Sequence, residues 1–290
     1  MLDVGGSGIK HAIADAAGNL RNKGVVPTTF TSHPEFIEAV GALYDPVAGA
    51  IEGIAISTAG ELDPVTGFMH NGGALTFNAG TNMIEAVTAR CPTRVSVEND
   101  ANCALLAETA DGALTGCTDA VAIVLGTGIG GAVMLGGRIR HGAHQHAGHF
   151  SLLLSNLLDA DPLRPLAVDV GVGGLTRPYA EEAGLESADG RAFFAALAEG
   201  HPGAVRLLDD YARRVAALIF NAQLVLDVEA FAIGGGISVQ PTLIEAIRTR
   251  FDELIQRTPA ELPRPRVLAC KHFNDANLRG ALVHHLRSAG

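Results

Sequence analysis

The sequence predicts a two-domain α/β protein, and three observations carry that expectation. A chain of 290 residues can bury a large core and ordinarily divides into two domains. A strand, a glycine turn and a second strand occur twice, about 120 residues apart, once at Asp3-Val4-Gly5-Gly6-Ser7-Gly8-Ile9-Lys10 and once from Val121 to Leu135. Between the two lies the apolar, β-branched run Arg94-Val95-Ser96-Val97, which ends in Glu98-Asn99-Asp100-Ala101-Asn102 and passes into a helix-like run to Asp111. A strand that ends in carboxylates and amides and then turns into a helix sets polar groups at a sheet's carboxyl edge, where open α/β folds place ligands.

Composition narrows the function classes. Acidic residues outnumber basic ones 31 to 21, a net charge of −10, and no long basic run occurs, so nucleic acid is not an expected partner. The four cysteines, Cys91, Cys103, Cys117 and Cys270, are far apart and form no C-x-x-C, which predicts reduced, mostly buried thiols in a cytosolic protein. Neither a signal peptide nor an apolar run of bilayer length is found, so the expected location is cytoplasmic, with no membrane partner.

The elements follow in order. In the first motif the glycines let backbone N–H groups approach a phosphate, and Ser7 and Lys10 can add donors. Gly-Gly also makes ordinary hairpins. No helix follows the turn directly, so it is neither a Walker loop nor a G-x-G-x-x-G dinucleotide turn. Only two residues precede Asp3, and the first strand reads as clipped. Ser32-His33-Pro34-Glu35 opens a helix to about Tyr44, where Asp45-Pro46 stops it. Ile51 to Ile56 is a buried strand, and the Gly- and Asn-rich loop His70 to Asn78 is either a cover for a substrate or a plain connection. Thr81 to Arg90 is a short helix that leads into the central strand.

Asp100 fits a general base that accepts a hydroxyl proton, while Asn99 and Asn102 can hold a polyol. Asn99 or Asp100 could equally cap the next helix. After the second glycine turn, Gly126-Thr127-Gly128-Ile129-Gly130-Gly131, come four histidines in nine residues, His141, His144, His146 and His149. They suggest either a metal site or a polar loop beside the active site. Leu157 to Pro165 reads as irregular, and a helix starts near Gly173. Ala204 to Leu224 is a long amphipathic helix with Val205, Leu208, Tyr211, Val215, Leu218, Ile219 and Ala222 at three- and four-residue steps. Ala230 to Ile233 then runs into a third turn, Gly234-Gly235-Gly236-Ile237-Ser238, where a flat ring or ribose could lie against the backbone. A helix from Thr242 to Gln256, a short strand from Val267 to Ala269 and a helix from Asp275 to Leu286 complete the chain.

Three glycine turns, each after a strand, with an Asp at a strand end between the first two, resemble the ROK family of bacterial sugar kinases and related repressors, within the actin/Hsp70/hexokinase-like superfamily. Asp3 to Ser7 looks like the first phosphate motif, Glu98 to Asn102 like the catalytic motif, Gly126 to Gly131 like the second phosphate motif, and Gly234 to Ser238 like the adenosine motif. The resemblance implies two RNase-H-like (actin-like ATPase) domains flanking an active-site cleft, with residues 1–101 as a small domain and 102–274 as a large one. The C-terminal helix, 275–288, would pack back on the small domain. It further implies ATP and Mg²⁺ as cofactors, transfer of the γ-phosphoryl to a hydroxyl of a sugar or glycoside, and a homodimer. Asp100 would be catalytic. Asp3, Gly5, Gly6, Ser7, Lys10, Gly126, Thr127, Gly128, Gly130, Gly131, Gly234, Gly235 and Gly236 would bind the nucleotide, and Asn99, Asn102, Gly73 and His149 the acceptor.

The sequence also departs from the pattern. The family reads A-G-E-x-G-H where this chain has Ala147-Gly148-His149-Phe150-Ser151-Leu152, so a sugar-contacting Glu becomes His149 and a zinc-ligating His becomes Leu152. The three cysteines of the family's zinc motif are absent too, and no structural zinc is expected. Lack of that motif looks most like the β-glucoside kinase branch. An active kinase is the first expectation, and a catalytically weak sugar-binding sensor, which His149 would favour, is the alternative. A family repressor would carry an N-terminal helix-turn-helix, for which there is no room before Asp3.

Overall fold

The computed structural model describes residues 1–155 and 165–288. The first hairpin is β1 (Leu2–Val4) with β2 (Gly8–Ala14), followed by β3 (Leu20–Pro27), α1 (His33–Tyr44) and β4 (Gly53–Thr58). A small hairpin of β5 (Glu61–Leu62) and β6 (Met69–Asn71) precedes α2 (Met83–Arg90), β7 (Arg94–Asn99) and α3 (Asp100–Asp111). The second hairpin is β8 (Ala120–Leu125) with β9 (Ile129–Leu135), extended by β10 (Arg138–Ile139). Helices α4 (Leu166–Val170), α5 (Gly173–Ala183), α6 (Gly190–Ala198) and α7 (Pro202–Leu226) lead to β11 (Ala230–Gly234). The chain finishes with α8 (Pro241–Arg257), β12 (Arg266–Ala269) and α9 (Ala276–Arg287). The stretch read as irregular, Leu157 to Pro165, lies outside the described residues except for Pro165.

Two five-stranded sheets have one topology. Their orders are β3-β2-β1-β4-β7 and β10-β9-β8-β11-β12, an antiparallel hairpin continued by two parallel strands. Duplication of the glycine turn in the sequence is therefore duplication of a whole sheet. Parallel strands need crossover connections, supplied by α1 and α2 in the first sheet and by the α4–α7 and α8 segments in the second.

The chain forms two compact units, one of Met1–Asp111, His141–His146 and Asn274–Gly290, the other of Gly112–Arg140 and Ala147–Phe273. This moves the expected boundary after residue 101 to the end of α3. The physical reason is backbone packing: α3 lies against α9 so closely that a Cβ on Gly280 would stand 1.8 Å from the Cys103 carbonyl oxygen. Breaking the chain inside α3 would tear that contact.

Local signals explain most elements. Ser32 caps α1, accepting the Glu35 N–H, with Pro34 in the first turn. The long helix α7 has Ala204, Leu208, Tyr211, Val215, Leu218, Ile219 and Ala222 buried, while Val205, expected on that face, is 51% exposed. Consecutive helical residues are about 100° apart, so with Ala204 and Leu208 inward, Val205 falls to the side. The first unit's core gathers Ile9, Phe36, Val40, Ile56 and Val97, and the second Ile123, Tyr211, Val215, Phe231 and Ile247. Tyr211 also donates its hydroxyl to the Val170 carbonyl at 2.6 Å, which ties α7 to α4.

Candidate active site

In the first unit, β1, β4 and β7 are parallel, and register places Asp3 beside Ser57 and Ser57 beside Glu98. The next row is Val4, Thr58 and Asn99, after which the strands end. The polar groups are therefore at the carboxyl edge, as the strand endings predict. The turn from Gly5 to Ser7 is closed by Gly5 N–H donating to the Gly8 carbonyl at 3.0 Å. Thr28 donates from its hydroxyl to the Gly5 carbonyl and from its N–H to Ser7 O. Asp3 is buried, and its carboxylate accepts Lys10 Nζ at 3.2 Å and Asn277 Nδ2 at 3.0 Å. Lys10, expected as a phosphate donor, is thus already paired with Asp3.

Asp100 is the first residue of α3 and is half-buried. Burial pushes its carboxyl up to about 6; the Ala101 N–H opposes the shift and the charge of Asp3 adds to it. A carboxylate of that strength is ionised at neutral pH yet basic enough to take a hydroxyl proton. Asn99 caps the helix, its Oδ1 accepting the N–H groups of Ala101 at 2.9 Å and Asn102 at 3.3 Å. Of the two capping candidates it is Asn99 that caps, while Asp100 Oδ1 accepts the Ala101 N–H, at 2.9 Å. The amides assigned to a polyol are engaged inside the chain: Asn99 Nδ2 donates to Gly60 O at 3.0 Å, and buried Asn102 donates to Glu98 Oε1 at 2.9 Å.

Glu98 is the group that sequence reasoning left unassigned. It is 1% exposed. Its Oε1 also accepts the Asn99 N–H at 2.8 Å, and its Oε2 meets His141 Nε2 at 2.9 Å and His284 Nδ1 at 3.6 Å. Burial would raise its pKa, but the His141 hydrogen bond and charge, with help from His284 and Asn102, outweigh that and hold it below the usual carboxylate value. His141 responds in kind: burial lowers it, yet Glu98 leaves its pKa raised.

The loop from His70 to Asn78 is partly regular, since it contains the end of β6 and a 3₁₀ turn at Thr76–Asn78. Buried Asn78 accepts from His33 Nδ1 through its Oδ1 at 2.8 Å. Gly73, expected at the acceptor, has φ +57, and its N–H donates to Asn71 Oδ1 at 2.8 Å. A Cβ there would be 2.8 Å from the Gly60 nitrogen, so the Gly72-Gly73 turn needs its glycine to sit on Gly60, which Asn99 holds.

In the second unit the glycines divide by what surrounds them. A Cβ at Gly126 or Gly128 would meet only ordinary neighbours at 3.9 and 3.7 Å, and one at Gly236 would meet nothing within 4 Å. Those backbones are open to a ligand. By contrast a Cβ at Gly131 would be 2.3 Å from the Phe150 ring, and at Gly235, φ +96, 2.0 Å from the Leu125 carbonyl. Gly131 and Gly235 are glycine because the fold requires it, so their presence in the motifs says little about a nucleotide. Gly234 lies near Cys270, where its Cβ would be 3.0 Å from the sulfur. The turn at Gly126-Thr127-Gly128 is closed by Gly126 N–H to Gly128 O at 3.0 Å, and Val172 N–H donates to Gly126 O at 2.8 Å, bringing the start of α5 against it.

The histidine-rich stretch divides as well. His141 and His146 belong with the first unit, the latter 3.4 Å from Glu61, and His144 is exposed. His149, in the second unit, is half-buried and precedes the 3₁₀ turn Phe150–Leu152, and Leu152 is 64% exposed. His284 and Asn277, both on α9, gave no sequence signal. All four cysteines are buried thiols, none in a disulfide. Among the described residues no helix is long and apolar enough to cross a membrane.

Comparison with known proteins is consistent along the chain. The model described as "ROK family" matches residues 1–165 and 167–287. A β-glucoside kinase of Listeria monocytogenes is 31% identical over 82% of this chain and 80% of its own. The crystal structure of a ROK family protein from Streptococcus pneumoniae in complex with sucrose superposes with a TM-score of 0.90 at 28% identity, covering 99% of this chain and 97% of that one. A ROK family glucokinase from Streptomyces griseus in complex with glucose and AMPPNP gives 0.81 at 25% identity, over 97% and 96%.

Proposed function

The chain belongs to the ROK family, and on that premise we propose that it transfers the γ-phosphoryl of ATP to a hydroxyl of a sugar or glycoside, with Asp100 as general base. The observation that carries the reading is Asp100 itself: a half-buried carboxylate at the end of β7, raised to about 6, on a helix turn braced by Asn99 and Glu98. In the reaction the acceptor oxygen gives its proton to Asp100 and takes the phosphoryl group, and ADP leaves. Phosphoryl transfer asks the protein for positioning and charge stabilisation more than for covalent chemistry.

The residues fit the cofactors. Open backbone at Gly126, Gly128 and Gly236, with the start of α5 against the Gly126–Gly128 turn, suits phosphates and a ribose. Asp3 would offer the hard oxygen donors that Mg²⁺ takes, which leaves Asp100 to the acceptor proton. When bound, Mg²⁺–ATP supplies the phosphoryl group and neutralises its developing charge. Asp3 is kept in place by Lys10 and Asn277, and Asn99 and Glu98 keep the α3 turn from rotating Asp100 away from the acceptor. The acceptor reading rests on Asn99 and Asn102 exchanging an internal bond for one to a sugar hydroxyl, with Gly73 shaping the loop beside Asn99. His149 stands where the family has a Glu, so a donor replaces part of an acceptor-only group and favours a modified or anomerically substituted sugar over free glucose. Similarity to a β-glucoside kinase and to a sucrose-bound structure supports that preference. Buried cysteines outside any disulfide suit the cytoplasm, and the assembly we expect is a homodimer, with the mass of two chains in light scattering.

ADP release from ATP and Mg²⁺, measured against a panel of hexoses, amino sugars and β-glucosides, tests the function. Sugar-dependent ADP release is expected. His149 gives the sensor reading its support, and sugar binding with no ADP release for any member of the panel would establish that reading instead.

A further inference from the structure

Register sets Asp3, Ser57 and Glu98 side by side on β1, β4 and β7, one row across three strands and therefore one face of the sheet. Helix α9 packs on these strands and on α3. Two of its side chains reach the ends of the row: Asn277 donates to Asp3 at 3.0 Å, and His284 Nδ1 lies 3.6 Å from Glu98 Oε2. Seven helical residues rise about 10.5 Å, and two strand spacings span about 9.5 Å. The helix thus matches the distance between the two carboxylates. Between them Gly280 removes the side chain that would collide with the Cys103 carbonyl, and Ala281 packs on Cys103, so Asn277, Gly280, Ala281 and His284 form one stripe at i, i+3, i+4 and i+7.

We propose that α9 is the template of the reaction centre, with Asn277 a positioning residue for Asp3, and His284 one for Glu98 and, through it, for the α3 turn that carries Asp100. The inference rests on the phosphotransfer reading above, in which Asp3 and Asp100 serve one reaction. Asn277 is the decisive member because it is the α9 side chain that donates directly to Asp3, at 3.0 Å. An amide donor aims that carboxylate and draws off part of its charge without adding one. The charged and titratable groups around the pair are Lys10 on β2, Glu98 on β7, His141 from the 141–146 segment and His284 on α9.

The test compares Asn277→Leu and Asn277→Asp, both close in size to the original, by steady-state kinetics, thermal unfolding and the NMR shift of the Asp3 carboxyl carbon at one neutral pH. Asn277→Leu should lower kcat about 10- to 100-fold with the acceptor KM changed less than about threefold, the pattern of misplaced groups rather than lost binding. Asn277→Asp replaces the donor by a carboxylate that repels Asp3 and should lower kcat at least as far. Both should move the Asp3 shift and unfold within a few degrees of the parent. Unchanged kcat in both variants, an unmoved Asp3 shift, or a kcat loss no larger than the loss of folded protein would overturn the proposal. If the unmutated protein turns over no sugar, the phosphotransfer reading fails, and the Asp3 shift still decides whether Asn277 positions that carboxylate.

Discussion

Glu98→Gln tests the buried acid beneath the reaction centre. The carboxylate faces only donors: the Asn99 N–H, Asn102 Nδ2 and His141 Nε2, all within 2.9 Å, with His284 Nδ1 at 3.6 Å. A glutamine keeps the shape but turns one acceptor into a donor and removes the charge. While His141 is neutral and can turn its other tautomer to accept, the loss is that of charge-assisted bonds becoming neutral ones, about 1–2 kcal/mol. Once His141 takes up a proton the variant offers it no counter-charge, and breaking a buried pair in that way costs up to about 3–5 kcal/mol. The sign follows from linkage. His141 has a raised pKa in the folded protein, so its stabilisation is fully present below its unfolded value near 6.5 and is lost as pH rises through the folded value. The variant should therefore lose more stability at pH 5.5 than at pH 8, read as shifts in the urea midpoint by far-UV circular dichroism. Equal losses at both pH values would refute the account of Glu98 as the counter-ion of His141.

Asp100→Asn should keep the fold and lower kcat by about 10² to 10⁴. In the unmutated enzyme a base near 6 predicts kcat about tenfold lower at pH 5 than on the plateau above pH 7, and a flat profile would remove Asp100 from the proton transfer. Gly236→Val should raise KM for ATP with little change in melting temperature, whereas Gly235→Ala should fail to fold stably, because its Cβ meets the Leu125 carbonyl. If Gly236→Val leaves KM for ATP alone, the adenosine motif is misassigned. His149→Glu should shift preference towards free hexose by a factor of roughly 5 to 150, the worth of one unpaired buried polar group. Efficient use of free glucose by the unmutated protein, above every glycoside and amino sugar, would contradict that. Buried His285 is lowered to about 4 by burial and the charge of Arg94, so the unfolded chain takes up its proton first. Its neutral form bonds Ser96 Oγ at 2.7 Å. Stability should fall as pH drops from about 6.5, by about 2 kcal/mol at pH 5, and His285→Leu should remove that dependence from urea titrations.

Much of the site was legible because its signals are local. A strand ending in Glu98-Asn99-Asp100 declares a polar carboxyl edge, since side-chain alternation and strand polarity are properties of a few consecutive residues. The same holds for the duplicated glycine turns, which repeat because a sheet repeats. Ser32, at the start of α1, acts on the backbone three residues away. Where one local motif served two purposes the sequence was mute. Gly126 and Gly235 look alike in a motif, yet a Cβ at one enters open space and at the other strikes a carbonyl of a neighbouring strand.

What the sequence by itself determined is the fold class, the family and the polar strand end from which Asp100 is proposed as the base, because these rest on spacings within one element or between an element and its turn. Tertiary structure alone decided the partners. Glu98 meets a histidine 43 residues on, and Asp3 an asparagine 274 residues on. It also drew the unit boundary, which follows α3 because the Gly280 backbone lies on Cys103. A hydrogen bond needs its donor within about 3 Å. No periodicity along the chain encodes which distant side chain a packed helix will deliver to that distance, since the packing of α9 across three strands sets it.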